Sequence, residues 1–339
     1  MAIEITGTGR AVPAQKVTNN ELAINIDTSD EWIRSHTGIG SRYIADENTA
    51  CSDLAVLAGS QALIMAEPGI SPEEAALSLD IIVVATATGD YYGCPSTACL
   101  VQDKLGAKNA GAFDLAAGCT GFIYALETAA GLLMVNPERR RALVIGSEVL
   151  TKFLDYSDRA SCVLFGDGAG AAVIEKKPET GDGPQKRGLL RTTLSADGSG
   201  SEHIVFRGGG SRERGKNSQN PEKSVYIEIN GQAVYNFAVK AVTDTVLKLL
   251  SLEGIGMDEI DRIIPHQANA RIIQAAAKRL KISEEKFFLN IEEYANTSAA
   301  SIPIALDELN RKGELKRGNL IMTLGFGGGL TYGGNLIRW

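Results

Sequence analysis

Three residue types that can together handle a thioester stand far apart in this chain: Cys119, His266 and Asn296. Cys119 lies in Asp114-Leu-Ala-Ala-Gly-Cys-Thr-Gly-Phe122, between a short apolar run and a long apolar one. A cysteine at the N-terminus of a helix meets free N–H groups and the positive end of the dipole, which favour thiolate over thiol. His266 lies in Asp261-Arg-Ile-Ile-Pro-His-Gln-Ala-Asn-Ala-Arg271, and Asn296 in Tyr294-Ala-Asn-Thr-Ser-Ala-Ala-Ser301. A nucleophilic thiol with two neutral hydrogen-bond donors suits acyl transfer. Taken singly, each has a plainer use: a core thiol, a satisfied core histidine and a helix N-cap. It is the shared setting of the three that points to chemistry.

That setting is a strand-to-helix junction, where open α/β sheets place their sites. Gly111–Leu115 reads as a buried strand, and Phe122–Val135 as a core helix with Glu127 its one charge. The run ending at Pro265 precedes a helix over Ala270–Leu280. Phe287–Ile291 reads as a strand before Asn296, with a helix over Ile302–Arg311 after it. The pattern occurs twice. Leu79–Ala85, the Cys119 junction, Arg141–Gly146 and Phe165–Ile174 are matched by Ile260–His266, the Asn296 junction, Gly318–Leu324 and Phe326–Ile337. Cys119 precedes Ala142 by the same interval that separates Asn296 from Asn319. The repeat predicts two similar α/β halves, 1–175 and 187–339, joined by the polar Pro- and Gly-containing stretch Lys176–Lys186. Arg207–Lys223 reads as a mobile surface loop, since it is rich in Gly and charge and has no apolar period.

Composition narrows the function. With 339 residues, 44% of them hydrophobic, and 37 glycines, the chain can bury a large core with tight turns. A net charge of −7 argues against nucleic-acid binding. Five cysteines without a CxxC pair and only 3 histidines give no zinc pattern, and predict reduced thiols and a cytoplasmic setting. No targeting signal is read at the N-terminus, and no apolar stretch is read as long and uncharged enough to span a bilayer. Gly166-Asp-Gly-Ala-Gly170 imitates a dinucleotide fingerprint, but a run of small residues follows it and no ribose-binding acid is in place.

Thr28-Ser-Asp-Glu-Trp-Ile33, the Cys119 motif, Phe165-Gly-Asp-Gly-Ala-Gly170, Pro265-His-Gln-Ala-Asn269, Asn296-Thr-Ser-Ala-Ala-Ser301 and Phe326-Gly-Gly-Gly329 resemble, in order, the β-ketoacyl-[acyl-carrier-protein] synthase III family. The resemblance covers essentially the whole chain. It implies the α/β thiolase-like fold, with two duplicated halves in five layers, αβαβα, and a homodimer. The implied reaction is a decarboxylative Claisen condensation. A short acyl-CoA loads Cys119, malonyl-acyl-carrier protein loses CO2, and the carbanion attacks the acyl-enzyme, opening type II fatty-acid synthesis. No cofactor or metal is implied, since CoA thioesters enter as substrates. The backbone N–H groups of Cys119 and Gly328 would form the oxyanion hole, with His266 and Asn296 serving the malonyl thioester.

The resemblance also assigns Trp32, Arg159, Gly231 and Asn269 to CoA, with His36 and Gln232 standing where the family usually has Arg and Asn. Cys94 and Phe326 would bound the acyl pocket; acetyl-specific members typically carry Phe at the Cys94 position. Arg271, Lys278 and Arg279 share one helix face that would dock the acidic carrier protein, although a family lysine is Asn236 here. A condensing enzyme of a secondary-metabolite pathway, a thiol hydrolase or transacylase, and a non-catalytic partner subunit are the alternatives on this scaffold. Intact Cys119, His266 and Asn296 argue against the last, and the absence of the Cys–Gly–Ser–Cys–Trp signature argues against a papain-like protease.

Overall fold

The computed structural model describes residues 1–179, 186–213 and 225–339. Parts of the expected Lys176–Lys186 link and Arg207–Lys223 loop fall outside the described residues. Lys176 and Lys177 themselves end a strand, Gly168–Lys177.

Two sheets repeat one topology. The first runs in the order Ala2–Ala11, Gly168–Lys177, Arg141–Glu148, Ile81–Ala85, Gly111–Leu115. Ile81–Ala85 is parallel to both neighbours, and the other pairs are antiparallel. The second runs Gly188–Ala196, Thr331–Arg338, Leu320–Gly327, Arg262–Pro265, again with the parallel pairing at the Arg262–Pro265 end. Ile81–Ala85 is buried throughout, as a strand covered by helices on both faces must be. The place of a fifth strand in the second sheet holds a single parallel bridge, Phe287 to Ile263. The strand expected over Phe287–Ile291 stops there. Asn290 is buried, its N–H donating to Gln267 Oε1 at 3.0 Å and its side chain to Glu308 at 2.9 Å, and the chain turns into the short helix Ile291–Tyr294.

Helices fill the spaces. Gly121–Val135 and Ser301–Arg311 lie between the sheets, burying Phe122, Ile123, Leu133, Ile302 and Leu306. Cys51–Ala66 covers the outer face of the first sheet. Gly231–Glu253 and Ala270–Leu280 cover that of the second. Five layers result. The segment Gly118–Val135 is long and apolar enough to cross a membrane, which corrects the reading that no stretch is. Its place between two sheets accounts for that apolarity. A smaller cluster of Leu22, Ile33, Leu150, Phe165, Ile227 and Ile291 caps one end of the layers, above the strand ends that carry the three polar residues.

Candidate active site

The strand Gly111–Leu115 leads through the tight turn Gly118–Thr120 into the central helix, and Cys119 is in that turn. Asp114 anchors the strand end by accepting the N–H groups of Thr97 and Ala98, each at 2.7 Å. Gly327 crosses directly over the thiol. A Cβ there would fall 2.9 Å from Cys119 Sγ, so only glycine permits the approach. Burial pushes the Cys119 thiol up to about 11, and the Glu148 carboxylate adds to the rise. The Ser298 hydroxyl and the backbone N–H groups of Gly328 and Cys119 act the other way, toward thiolate. The expectation of a thiol acidified by its helix is therefore corrected: desolvation outweighs the N–H groups, and at rest the sulfur keeps its proton. Those N–H groups face the sulfur all the same, where the oxygen of an acyl group on it would need donors.

His266 closes the strand Arg262–Pro265 and is 1% exposed. Its N–H donates to the Leu324 carbonyl at 2.7 Å, and its ring stands edge-on to Phe326 with 5.2 Å between centroids. Nδ1 lies 2.6 Å from the Ser301 hydroxyl oxygen, which is also 2.9 Å from the Ser298 carbonyl. Burial pushes the imidazole down to about 3, so it is neutral at physiological pH. Asn296 is fixed by a parallel bridge to Phe165. Its Oδ1 accepts the Ser298 N–H at 2.8 Å, which leaves the amide NH₂ as the group available to the cavity. It does not cap the next helical turn; Thr297 holds that position.

One cavity of about 650 Å³ joins these groups. Cys119, His266, Asn296, Phe326, Gly327 and Gly328 line it, and so do Trp32, His36, Gly231, Gln232, Asn269 and Arg271. Trp32 and His36 stack at 4.4 Å between centroids, and the Arg159 guanidinium stands 5.0 Å from the Trp32 ring. A flat base held between Trp32 and Arg159 needs about 7 Å, so Arg159 must swing out to admit one. Its tether is light: an exposed hydrogen bond to the Asp27 carbonyl at 2.8 Å. Asn269 is occupied at both ends, capping Ala270–Leu280 through Oδ1 and donating to the His36 carbonyl at 3.1 Å. Gln232 donates to Asn236 at 3.1 Å.

Lys278 and Arg279 are exposed on the helix that begins beside the cavity, but they do not line it. Cys94 is also exposed and not part of the cavity wall of its own chain. Glu148, Ser298 and Ser301 escaped the sequence reading. The signal for Glu148 was a lone acid closing the strand Arg141–Glu148 just after its apolar Ala-Leu-Val-Ile run. Among the described residues no three His, Cys, Asp or Glu side chains gather as a metal site.

Residues 113–198 match the family described as 3-oxoacyl-[acyl-carrier-protein] synthase III, and residues 250–339 match its C-terminal part. A β-ketoacyl-[acyl-carrier-protein] synthase III from Clostridium acetobutylicum is 47% identical, over 100% of this chain and 99% of its own. The chain belongs to the β-ketoacyl-[acyl-carrier-protein] synthase III family. The crystal structure of a synthase III from Aquifex aeolicus superposes with a TM-score of 0.86 at 42% identity, covering 99% of this chain and 100% of the other. A priming β-ketosynthase from a polyketide pathway is 32% identical with a TM-score of 0.87, over 99% and 96% of the two chains. The synthase is thus an acyl-transferring condensing enzyme with the thiolase-like fold, and it performs the first condensation of fatty-acid synthesis.

Proposed function

We propose that Cys119 takes the acyl group of a short acyl-CoA, and that His266 and Asn296 then drive loss of CO2 from malonyl-acyl-carrier protein beside it. The convergence of these three side chains on one cavity that opens past Trp32, His36 and Arg271 carries the reading. The cavity mouth receives the CoA nucleotide at Trp32 and Arg159, and the thioester reaches the floor past Gly231, Gln232 and Asn269. The acyl oxygen sits against the N–H groups of Cys119 and Gly328, within a pocket bounded by Phe326. After CoA leaves, the malonyl thioester oxygen takes hydrogen bonds from the Asn296 amide and from His266 Nε2. The Ser301 hydroxyl, 2.6 Å from Nδ1 and within reach of the Ser298 carbonyl, holds the ring; the developing enolate needs the tautomer with the imidazole proton on Nε2, in which that hydroxyl turns from Ser298 to donate to Nδ1. The enolate carbon attacks the acyl carbonyl, and the Cys119 sulfur leaves.

Acyl-CoA and the carrier protein are the partners in this reading, with no nucleic acid, membrane or cofactor. Two such chains, each of two halves (1–175 and 187–339), form a cytoplasmic homodimer. The 32% identical polyketide priming enzyme supports a second reading, priming of a secondary metabolite, and the 47% identical fatty-acid enzyme favours the first. Intact-protein mass spectrometry with acyl-CoA tests the nucleophile. The wild type is expected to carry one acyl group on Cys119 and Cys119→Ser none, because a serine here has no accessible anion at neutral pH. An adduct on Cys94, Cys99 or Cys162 instead overturns the assignment.

A further inference from the structure

Glu148 is fully buried, and among the described residues no Lys, Arg or His side chain bonds it. Its carboxylate is held by neutral donors alone: the Thr88 hydroxyl at 2.5 Å, the Thr86 hydroxyl at 3.3 Å and the Ala87 N–H at 3.1 Å. A carboxylate buried without a cation is costly, which favours its holding a proton. The turn carrying Ser298 is pressed against its strand. A Cβ on Gly146 would fall 2.2 Å from the Ala299 carbonyl oxygen, so glycine lets the turn lie flat there. Residues two apart on a strand share a face, which puts Glu148 beside the same turn. The Ala299 N–H and the Ser298 hydroxyl of that turn favour the charged form of Glu148. Ser298 has a left-handed backbone, φ 47, unusual for a residue with a side chain. Ser298 lines the cavity with Cys119 while its turn packs on the strand that carries Glu148, so its hydroxyl is a polar group on the way from one to the other, and it favours the charged form of both.

We propose that Glu148 stores the proton of the reaction, taking it from Cys119 through the Ser298 hydroxyl as the thiol is acylated and returning it when the condensation product leaves. In loading, the Sγ–H proton passes to Ser298 Oγ as the Ser298 proton passes to the carboxylate. Sγ bonds to the acyl carbon, the carbon–sulfur bond to CoA breaks, and the CoA thiolate takes a proton from water. In condensation, CO2 leaves, the new carbon–carbon bond forms and the acyl–Sγ bond breaks. The Cys119 thiolate then recovers the stored proton by the same route. His266 is a poor store, since burial holds it at about 3, whereas burial raises Glu148 to about 7 against the Thr88, Ala87, Ser298 and Ala299 hydrogen bonds. The titratable groups facing Glu148 are Cys119 and, from the helix Cys51–Ala66, Cys51.

The inference rests on Cys119 being the nucleophile, and Cys119→Ser is the control for that. Rates of acyl loading are measured by quenched-flow mass spectrometry on the full chain from pH 5.5 to 9, alongside iodoacetamide alkylation of Cys119. Glu148→Gln is expected to slow loading about 10²- to 10⁴-fold and to abolish its rise near pH 7. Glu148→Asp restores part of the rate. The same Glu148→Gln change removes a negative charge that raises the thiol pKa, so alkylation at alkaline pH speeds up; an unchanged urea-unfolding midpoint separates this from a damaged fold, which would also expose the thiol to alkylation. Ser298→Ala, which keeps the charge and breaks the route, is expected to slow loading at least tenfold, and it decides the matter if Glu148→Gln does not fold. Loading by Glu148→Gln or Ser298→Ala at the wild-type rate, with the pH profile kept, overturns the proton store while leaving Cys119 as nucleophile. An acyl adduct on Cys119→Ser overturns the site assignment itself.

Discussion

His266 shows how burial decides what a side chain can do. Held at about 3, it stays neutral at physiological pH, which suits the proposed role of hydrogen-bond donor and not that of a base. His266→Ala and Asn296→Ala are therefore expected to slow CO2 release from malonyl-carrier protein by about 10²- to 10³-fold, as lost oxyanion donors do, and to slow loading of Cys119 far less. Measuring the two half-reactions separately checks this; equal losses in both would contradict the division. Burial also makes His266 a term in stability. Its folded value lies below the unfolded value of about 6.5, so the unfolded chain binds the proton first and stability is lost as pH falls from about 6.5 toward 3. Glu148 has the opposite sign. Its folded value of about 7 is above the ordinary 4.5, so its contribution is complete below 4.5 and is lost as pH rises through 7. Between pH 5 and 6 the two slopes oppose each other. His266→Gln removes one of them, so on acidification the variant should gain stability relative to wild type by about 1.4 kcal/mol per pH unit. Urea unfolding of both proteins at pH 5 and pH 6 measures the difference, and parallel slopes would refute it.

At the scale of elements, the helix Ala270–Leu280 was the most legible part of the molecule. Its apolar residues Ile272, Ile273, Ala276 and Ala277 are buried, so Arg271, Lys278 and Arg279 face outward as their spacing predicts. Asn269 caps its start, and Lys281, in a left-handed conformation, ends it. Arg271 lines the cavity mouth, and the next basic group across from Arg279, Lys240 on the helix Gly231–Glu253, is paired with Asp244, so the basic surface is that of this one helix. Arg271→Glu is expected to raise KM for malonyl-carrier protein several-fold at low salt and to leave KM for acyl-CoA nearly unchanged. The effect should shrink as salt rises, because exposed charges are screened beyond about 10 Å at 0.1 M. An effect independent of salt would make the helix an ordinary solvated face. Less legible was whatever depends on contacts remote in sequence. The strand at Phe287 collapsed to one bridge because Gln267 and Glu308 claim Asn290. Cys119 was read from its helix alone, whereas its acidity is set first by burial and then by Ser298, Glu148 and Gly328, each brought from another element.

Seen whole, the molecule places Cys119, the proposed nucleophile, from one half in the same cavity as His266 and Asn296, the proposed donor pair, from its repeat. The duplication was readable because matched junctions recur at matched intervals. The acyl end of the pocket was not: Cys94, read as its boundary, does not line the cavity of its own chain. Cys94 stands with Tyr91 and Tyr92 on an exposed loop, and both rings are well exposed. The strand Gly111–Leu115 lies at an open edge of the first sheet. In the proposed homodimer this loop would reach the neighbouring subunit and Cys94 would close that subunit's acyl pocket, where the family resemblance implies Phe in acetyl-specific members. A thiol in place of a phenyl ring leaves room for several methylenes, each worth about 0.8 kcal/mol when buried. Primers longer or more branched than acetyl should then be accepted, by up to about fourfold in kcat/KM for each added methylene that finds space. Tyr92 is poorly placed to fill that room, since its ring lies against Gly209: a Cβ there would fall 2.4 Å from it. Cys94→Phe should narrow the enzyme toward acetyl-CoA, with the largest loss for the longest primers and little change in the rate with acetyl. Initial rates across a series of two- to eight-carbon acyl-CoAs decide it. A wild type that uses acetyl-CoA alone, with a Cys94→Phe variant unchanged across the series, would show that the pocket ends elsewhere.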